Sequence, residues 1–158
     1  MSSNIVVIGG GPAGYTAAFY AADLGMNVTL VEKDNTLGGV CLNVGCIPSK
    51  ALLHLVALKD EAKNVKAHGL DFGEPKIDLD KIRAFKDSVV QKMTGGLVQL
   101  AKMRKVTVVK GTATFKDKNS LEVDTASGKQ MIAFDNAIIA TGSRPVIPEP
   151  FNLGSDLV

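Results

Sequence analysis

The sequence has few cysteines and little net charge, and each of these features excludes a class of protein. Two cysteines among 158 residues are too few for the disulfide framework of a small secreted domain. The formal net charge is only +2, which favours no class of partner. Lysines are frequent from Lys102 to Lys118, but strand-like apolar runs separate them. We interpret them as a solvated face and expect no nucleic-acid partner.

Long apolar runs and a basic leader are also missing. The first apolar run, Ile5 to Ile8, has no basic segment before it and is followed by glycines that break it. No uninterrupted apolar run approaches the roughly 20 residues that span a bilayer. Because 46% of the residues are apolar and 22% are charged, the composition is that of a globular domain and not of a disordered chain. We expect a cytoplasmic protein with no membrane partner.

The first 31 residues have the pattern of a β-α-β unit. Branched apolar residues from Ile5 to Ile8 and from Val28 to Val31 predict two strands buried on both faces of a parallel sheet. The stretch from Pro12 to Leu24 predicts a helix between them, and Gly25 follows where helices commonly end. Two parallel strands joined through a helix indicate an α/β fold.

The rest of the chain changes from helical to strand periodicity. Two amphipathic helices are predicted, one over 49–66 and one from Asp78 to about Met103 with an interruption at Gly95 and Gly96. Short apolar runs then predict one more strand of the parallel sheet, a small antiparallel β-meander, and a final buried strand over 137–140. Prolines after that strand are typical of a linker, so the domain is predicted to span 1–150, with 151–158 starting the linker.

The segment between the first strand and the first helix fits the dinucleotide-binding pattern G-x-G-x-x-G. It reads Gly9-Gly10-Gly11-Pro12-Ala13-Gly14. In this pattern the first glycine makes a tight turn, the second lets a diphosphate approach the backbone, and the third lets the helix pack closely on the strand.

Glu32 is the second part of the predicted dinucleotide site. It ends the second strand, where a carboxylate accepts hydrogen bonds from an adenosine ribose and disfavours the phosphorylated ribose of NADP. The alternative is a glycine-rich turn without a ligand and a surface glutamate. The strand, the helix and the acid occur at the spacing of the dinucleotide-binding pattern, which favours a dinucleotide site over a turn without a ligand. They do not show whether the dinucleotide is FAD or NAD.

The two cysteines, Cys41 and Cys46, are separated by four residues. A structural disulfide closing so short a loop would stabilise the chain by only ~2 kcal/mol in the chain-entropy model, and a reducing compartment would open it. A structural zinc site needs four ligands, and only His54 and His68 are further candidates. A redox pair beside a bound cofactor is the third reading, because neighbouring thiols cycle between dithiol and disulfide. A helix beginning near Pro48 is expected to lower the pKa of a nearby thiol.

The run from Gly38 to Lys50, GGVCLNVGCIPSK, resembles the active-site signature of the flavoprotein disulfide reductases, the pyridine-nucleotide-disulfide oxidoreductase family. Leu42, Ile47 and Ser49 resemble the dihydrolipoyl dehydrogenase branch of that family, since glutathione reductases typically have Val, Val and Lys there. The resemblance extends over essentially the whole chain and includes segments 111–113 and 140–145. One departure is Val40, where the family usually has threonine.

The resemblance implies a Rossmann-like FAD-binding domain with named residue roles. Cys41 would be the interchange thiol that attacks the substrate, Cys46 would lie against the flavin ring, and the Lys50 ammonium would lie near the flavin's reactive edge. No metal is implied. The implied FAD contacts are Gly9, Gly11, Pro12, Ala13, Gly14, Glu32, Lys33, Gly38, Gly39, Val40, Cys41, Lys50, Gly111, Ala113, Thr141, Gly142 and Ser143.

The same resemblance implies a longer parent protein. Family members continue with an NAD-binding domain and an interface domain, and they form homodimers. Dihydrolipoyl dehydrogenases oxidise the lipoyl domain of a 2-oxoacid dehydrogenase complex and reduce NAD. The chain alone is therefore expected to be inactive in reducing NAD with dihydrolipoamide. Its sheet is expected to have an unfinished edge that can pair with another chain. The alternatives are a mercuric or glutathione reductase relative and a non-catalytic nucleotide-binding module.

Overall fold

The computed structural model of the chain describes residues 2–155, which form an α/β fold. The strands are β1 (Asn4–Ile8), β2 (Asn27–Glu32), β3 (Thr107–Lys110), β4 (Thr112–Asp117), β5 (Ser120–Thr125), β6 (Gly128–Ala133) and β7 (Asn136–Ile139). The helices are α1 (Pro12–Asp23), α2 (Gly39–Asn43), α3 (Cys46–Asn64) and α4 (Leu79–Met103), with 3-10 helices at Val65–His68 and Glu149–Phe151. The predicted β-α-β opening, the additional sheet strand and the meander are all present.

The four-stranded sheet is parallel and has the order β3-β2-β1-β7. The meander is a separate antiparallel sheet of β4, β5 and β6. After β1 the chain crosses to β2 on one side, whereas β7 pairs with β1 on the other side. The carboxyl end of β1 is therefore a topological switch point, the place where open α/β sheets bind ligands.

The core lies on both faces of the parallel sheet because side chains alternate along each strand. Val7 and Leu30 are fully buried on the face that packs against α1 and α4. Val6 and Val31 are buried on the opposite face against Leu121 of the meander. Each such side chain stabilises the fold by roughly 1.5–3 kcal/mol. This burial holds the carboxyl ends of the strands in one row.

One set of non-covalent contacts joins the ends of α1 and α4. Arg104, just after α4, donates from Nε to both carboxylate oxygens of Asp23, at 3.0 and 3.1 Å. Its guanidinium also lies 5.4 Å from the centre of the Phe19 ring. The ion pair and the cation–π contact together fix the spacing of the two helices.

The predicted helices differ from the observed ones in three respects. Helix α3 begins at Cys46, earlier than expected, and α4 runs through Gly95 and Gly96 without interruption. The apolar face of α3 was expected to pack, but Leu53 is 64% exposed and Val56 is also exposed. The buried residues of α3 are Pro48 and Ala51, near its first turn.

No uninterrupted apolar run spans a bilayer, but one longer helical stretch passes a test of length and average composition that tolerates a few polar residues. The stretch Gly39–His68 is long and apolar enough to cross a bilayer by those two measures, and most of it is exposed. In the structure it is divided between α2 and α3 at Val44 and Gly45. One such stretch is weak evidence for a membrane protein.

Candidate cofactor site and thiol pair

The glycine segment turns the chain from β1 into α1 at the switch point. Gly9 has a φ of 104°, and its N–H donates to the carbonyl of Val31 at 2.8 Å. Gly11 is the N-cap of α1, and Pro12 occupies the first helical turn. No side chain caps this helix, so its first N–H groups remain available to an anion.

The glycines of this turn are required for different reasons. A Cβ on Gly14 would lie 1.7 Å from the carbonyl oxygen of Gly9, and one on Gly9 would lie 2.3 Å from the carbonyl oxygen of Ala140. A Cβ on Gly11 would meet no protein atom closer than the Cα of Gly39, at 3.8 Å. Packing therefore demands glycine at positions 9 and 14. The space over Gly11 is open, which fits a diphosphate lying against the backbone.

Glu32 lies at the end of β2 directly beside the turn. Its side chain is 7% exposed. The backbone N–H of Gly10 donates to Oε2 at 2.6 Å, and that of Asp34 donates to Oε1 at 2.8 Å. Two backbone donors thus hold the carboxylate in place, and each oxygen keeps a lone pair for a ribose hydroxyl.

Two further glycines place the cysteine segment against the same turn. The N–H of Gly38 donates to the carbonyl of Gly10 at 2.8 Å. A Cβ on Gly39 would lie 2.8 Å from the Cα of Gly11, so the start of α2 touches the turn itself. Both residues have positive φ, 114° and 56°, which glycine adopts without strain.

Asn43, at the end of α2, is a positioning residue that the sequence reasoning missed. Its Nδ2 donates to the carbonyls of Gly39 at 2.9 Å and Leu37 at 3.3 Å, and its Oδ1 accepts from Thr36 Oγ1 at 2.8 Å. These bonds close the loop that carries the cysteines. The sequence signal that could have identified Asn43 is its position as a polar amide residue between the two cysteines.

Cys41 and Cys46 lie next to each other as free thiols, Cys41 in α2 and Cys46 at the first position of α3. Cys41 is partly buried against the core, whereas Cys46 is exposed. The pKa of the Cys41 thiol is raised above its ordinary value. The largest cause is a hydrogen bond with the Cys46 side chain, and the second is desolvation by burial. The backbone N–H of Cys46, at the N-terminus of α3, lowers the pKa of Cys41 as expected, but the hydrogen bond with the Cys46 side chain outweighs it and the net shift is upward.

Lys50 and Val40 flank the thiols on exposed positions. Lys50 is four residues after Cys46, so the two side chains share one face of α3. Its positive charge acts on Cys41 and opposes the rise of that pKa. Val40 is 69% exposed and has no packing role on α2 that would require an apolar side chain.

The predicted contacts Lys33 and Gly111 directly follow β2 and β3. A cavity of about 420 Å³ there is lined by Lys33, Gly111 and Thr112, together with the turn between β5 and β6. A Cβ on Gly111 would lie 2.4 Å from the carbonyl oxygen of Asp124, so packing against β5 requires this glycine. Ala113 does not line the cavity and packs instead against the core beneath the meander.

The remaining predicted contacts lie at the rim of the turn. Ala13 is exposed in the first turn of α1. Thr141, Gly142 and Ser143 are exposed in the segment after β7, which begins where Ala140 touches Gly9. The structure therefore brings this segment to the glycine turn from the side of β7.

The thiols have no metal-binding surroundings in the part of the chain that the structure describes. Within residues 2–155, no three side chains of His, Cys, Asp or Glu come together in a group that could hold a metal ion. The zinc reading of the cysteines therefore gains no support from the fold.

The switch-point turn, the held carboxylate and the adjacent dithiol define a class, a dinucleotide-binding α/β domain with a redox-capable thiol pair. Residues 3–155 match the family described as pyridine nucleotide-disulphide oxidoreductase. The chain belongs to this family, and membership implies a flavin cofactor. The geometry around Gly11 and the thiols fits such a group.

Two curated relatives are dihydrolipoyl dehydrogenases. The Vibrio cholerae protein is 56% identical over 146 residues, which cover 92% of this chain and 31% of that protein. The Staphylococcus aureus protein is 49% identical over 158 residues, covering 100% of this chain and 34% of that protein. The chain thus spans about a third of the length of the curated relatives it matches.

The fold is similar to that of a solved flavoprotein as well. The Cu(II) complex of the HOCl-induced flavoprotein disulfide reductase RclA from Escherichia coli superposes with a TM-score of 0.74 at 30% identity. The match covers 94% of this chain and 30% of that one.

Proposed function

We propose that the chain is the FAD-binding, dithiol-carrying portion of a dihydrolipoyl dehydrogenase. The observation that supports the proposal is the contact of Gly38 and Gly39 with the glycine turn, since Cys41 follows Gly39 by two residues in the same helix α2. The sequence identity to dihydrolipoyl dehydrogenases supports the choice of branch within the family.

Different residues of the chain bind the different parts of FAD. The open backbone at Gly11 and the uncapped N-terminus of α1 receive the diphosphate. Glu32, held by two backbone N–H groups, accepts hydrogen bonds from the ribose hydroxyls. Lys33 and Gly111 border the space proposed for the adenine.

The thiol pair performs the exchange with the substrate. When the pair is oxidised, a substrate thiolate attacks the sulfur of Cys41 and the Cys41–Cys46 bond breaks. The second substrate thiol then displaces Cys41, so the substrate leaves as a disulfide, having lost two electrons and two protons, and the protein keeps two thiols. Lys50 lies on the same helix face as Cys46 and stabilises negative charge on the pair. FAD, when bound, supplies the two-electron chemistry that reoxidises these thiols.

Several parts of this function belong to a longer parent protein and are proposed with it. These are the NAD site, the homodimer and the partnership with the lipoyl domain of a 2-oxoacid dehydrogenase complex. A cytoplasmic location suits two thiols that must remain reducible. We also propose that 1–150 is the cofactor domain and that the linker begins at 151; residues 156–158 of that linker lie outside the described residues.

Two measurements on the purified chain test the proposal. Titration with FAD, followed by gel filtration, should yield protein with visible flavin absorption. Anaerobic dihydrolipoamide should then bleach that absorption, and the Cys41→Ser variant should retain FAD but resist bleaching. Failure of the chain and of its full-length parent to bind FAD would refute the cofactor assignment. Bleaching at an unchanged rate in Cys41→Ser would refute the thiol assignment.

A further inference from the structure

A second cavity, of about 500 Å³, lies between α4, β3 and the loop that follows β2. Small-molecule sites typically have volumes of roughly 300–1,000 Å³. Of the residues predicted to contact the cofactor, only Glu32 lines this cavity. The carboxylate of Glu32 is already held by the N–H groups of Gly10 and Asp34. The cavity therefore adjoins the proposed dinucleotide site at Glu32 and at Lys110, while the rest of its lining is separate from that site.

The walls of the cavity are mainly apolar. Val98 on α4 and Val108 on β3 both line it, and each is 44% exposed. Because β3 is an edge strand of the parallel sheet, no further strand of the described chain covers this side. Ala101 lies on the same helix as Val98 and also lines the cavity, but its side chain is too small to fill the space between Val98 and Val108. An apolar group entering here would remove both valine side chains from water.

Gly95 gives the cavity access to the helix backbone. It lies in the interior of α4, where glycine is among the least favourable residues. A Cβ at this position would meet nothing within 4 Å, so no contact in the described chain requires glycine. Glycine is the residue that lets a ligand approach the backbone closely. Gly95 also lines the cavity.

Two lysines at the rim give the cavity its charge preference. Lys102 and Lys110 both line it, and neither forms an ion pair within residues 2–155. The ammonium of Lys110 donates to the neutral Oδ1 of Asn35. The lining also contains two acids, the exposed Asp34 and the buried Glu32, whose oxygens accept from backbone N–H groups. These acids would oppose a second negative charge on a ligand.

From these features we infer that the cavity binds a small organic monoanion with an apolar body. The apolar body lies over Gly95 between Val98 and Val108, and the single negative charge lies at Lys102 and Lys110. The site borders the proposed cofactor site at Glu32 and Lys110, but its α4 and β3 walls contain no residue predicted to contact the cofactor.

The test uses 2-naphthoate, an apolar aromatic body with one carboxylate, and its neutral counterpart 2-naphthamide. At 158 residues the chain suits amide-resolved NMR titration. Saturable shifts are expected at Gly95, Val98 and Lys110 with naphthoate, and at least tenfold weaker binding with naphthamide. Shifts confined to the exposed apolar face of α3, or no saturable shifts at all, would overturn the site. Equal binding of the amide would overturn its anion preference.

A filled-cavity variant has a matched control on the adjacent residue. Gly95→Leu should weaken naphthoate binding at least tenfold, and leucine favours the helix, so the variant is expected to fold. Gly96→Leu makes the same change at a glycine that does not line the cavity and whose Cβ would also meet nothing within 4 Å. It should bind naphthoate as the unmodified chain does. Equal binding by Gly95→Leu, with its fold verified by circular dichroism, would refute the proposal.

Discussion

Gly14 lies so close to Gly9 that a Cβ on Gly14 would stand 1.7 Å from the Gly9 carbonyl oxygen. No side chain can be accommodated at that separation without moving helix α1 away from strand β1. We expect Gly14→Ala to lower the free energy of unfolding by about 1–3 kcal/mol or more, because 1–3 kcal/mol is the usual cost of inserting an extra methyl group into a packed region. Urea unfolding in the absence of FAD measures this.

Gly11→Ala is the matched control for that prediction. Its Cβ would have no neighbour closer than 3.8 Å, and its φ of −73° suits alanine. Unfolding should therefore change little, whereas FAD affinity should fall because the methyl group occupies the space proposed for the diphosphate. A variant that loses stability but binds FAD normally would contradict the assignment of Gly11.

The pKa of Cys41 should respond in opposite directions to two substitutions. Cys46→Ala removes the hydrogen bond that contributes most to the raised pKa, so the alkylation rate of Cys41 should reach half its maximum at a lower pH. Lys50→Gln removes a charge that lowers this pKa, so the midpoint should move to higher pH. Peptide-resolved mass spectrometry after alkylation separates Cys41 from Cys46. Shifts in the same direction would contradict the stated causes.

The same pKa shift predicts how stability depends on pH. A thiol whose pKa is higher in the folded than in the unfolded chain binds its proton more tightly when folded. The resulting contribution is complete below the unfolded pKa and is lost as the pH rises through the folded pKa of Cys41. The Cys41→Ala variant should therefore lose less stability than the unmodified chain in this alkaline range.

Arg104→Ala should lower the free energy of unfolding by about 1 kcal/mol, since it removes a partly exposed ion pair and a cation–π contact. Arg83→Ala is a suitable control, because Arg83 pairs with Asp80 on the exposed surface of α4 within one turn. That variant should change stability by less than about 0.5 kcal/mol. Equal losses in the two variants would argue against the role of Arg104 in joining α1 to α4.

Val40→Thr should strengthen FAD binding. The substitution restores the hydroxyl that the family resemblance places beside the cofactor, and one hydrogen bond contributes about 1 kcal/mol, or roughly a fivefold change in Kd. Val44→Thr makes the same change at another exposed valine outside the predicted contacts, and should leave the Kd unchanged. Equilibrium titration by flavin fluorescence compares the two, and an unaltered Kd for Val40→Thr would contradict a hydroxyl contact.

The open edge at β7 should make the chain associate at high concentration. Among the described residues β7 pairs only with β1, and Ile139 is 66% exposed on it. An unpaired apolar edge invites pairing with another chain. Sedimentation velocity should show concentration-dependent association that Ile139→Lys reduces and Val146→Lys, outside the strand, does not. A strictly monomeric chain at all concentrations would contradict the prediction.

The agreement between sequence and structure is best where a pattern depends on neighbouring residues. The β-α-β opening, the start of α4 at Asp78 and the meander agree with the predictions, because side-chain alternation, helix starts and turns are local properties. The predicted amphipathic helix is present as α3, but Leu53 and Val56 on it are exposed, since periodicity shows which side chains share a face and not whether anything packs there.

The sequence by itself determined the parallel sheet, the glycine turn and the pair of nearby thiols, because these follow from spacing along a few residues. Only the tertiary structure decided that Gly39 touches Gly11, that the Cys41 pKa is raised, and that a cavity opens beside Gly95. Each of these depends on distances between segments far apart in the chain or on the balance of several contacts. Such distances arise only when the helices pack on the sheet, so no local pattern could reveal them.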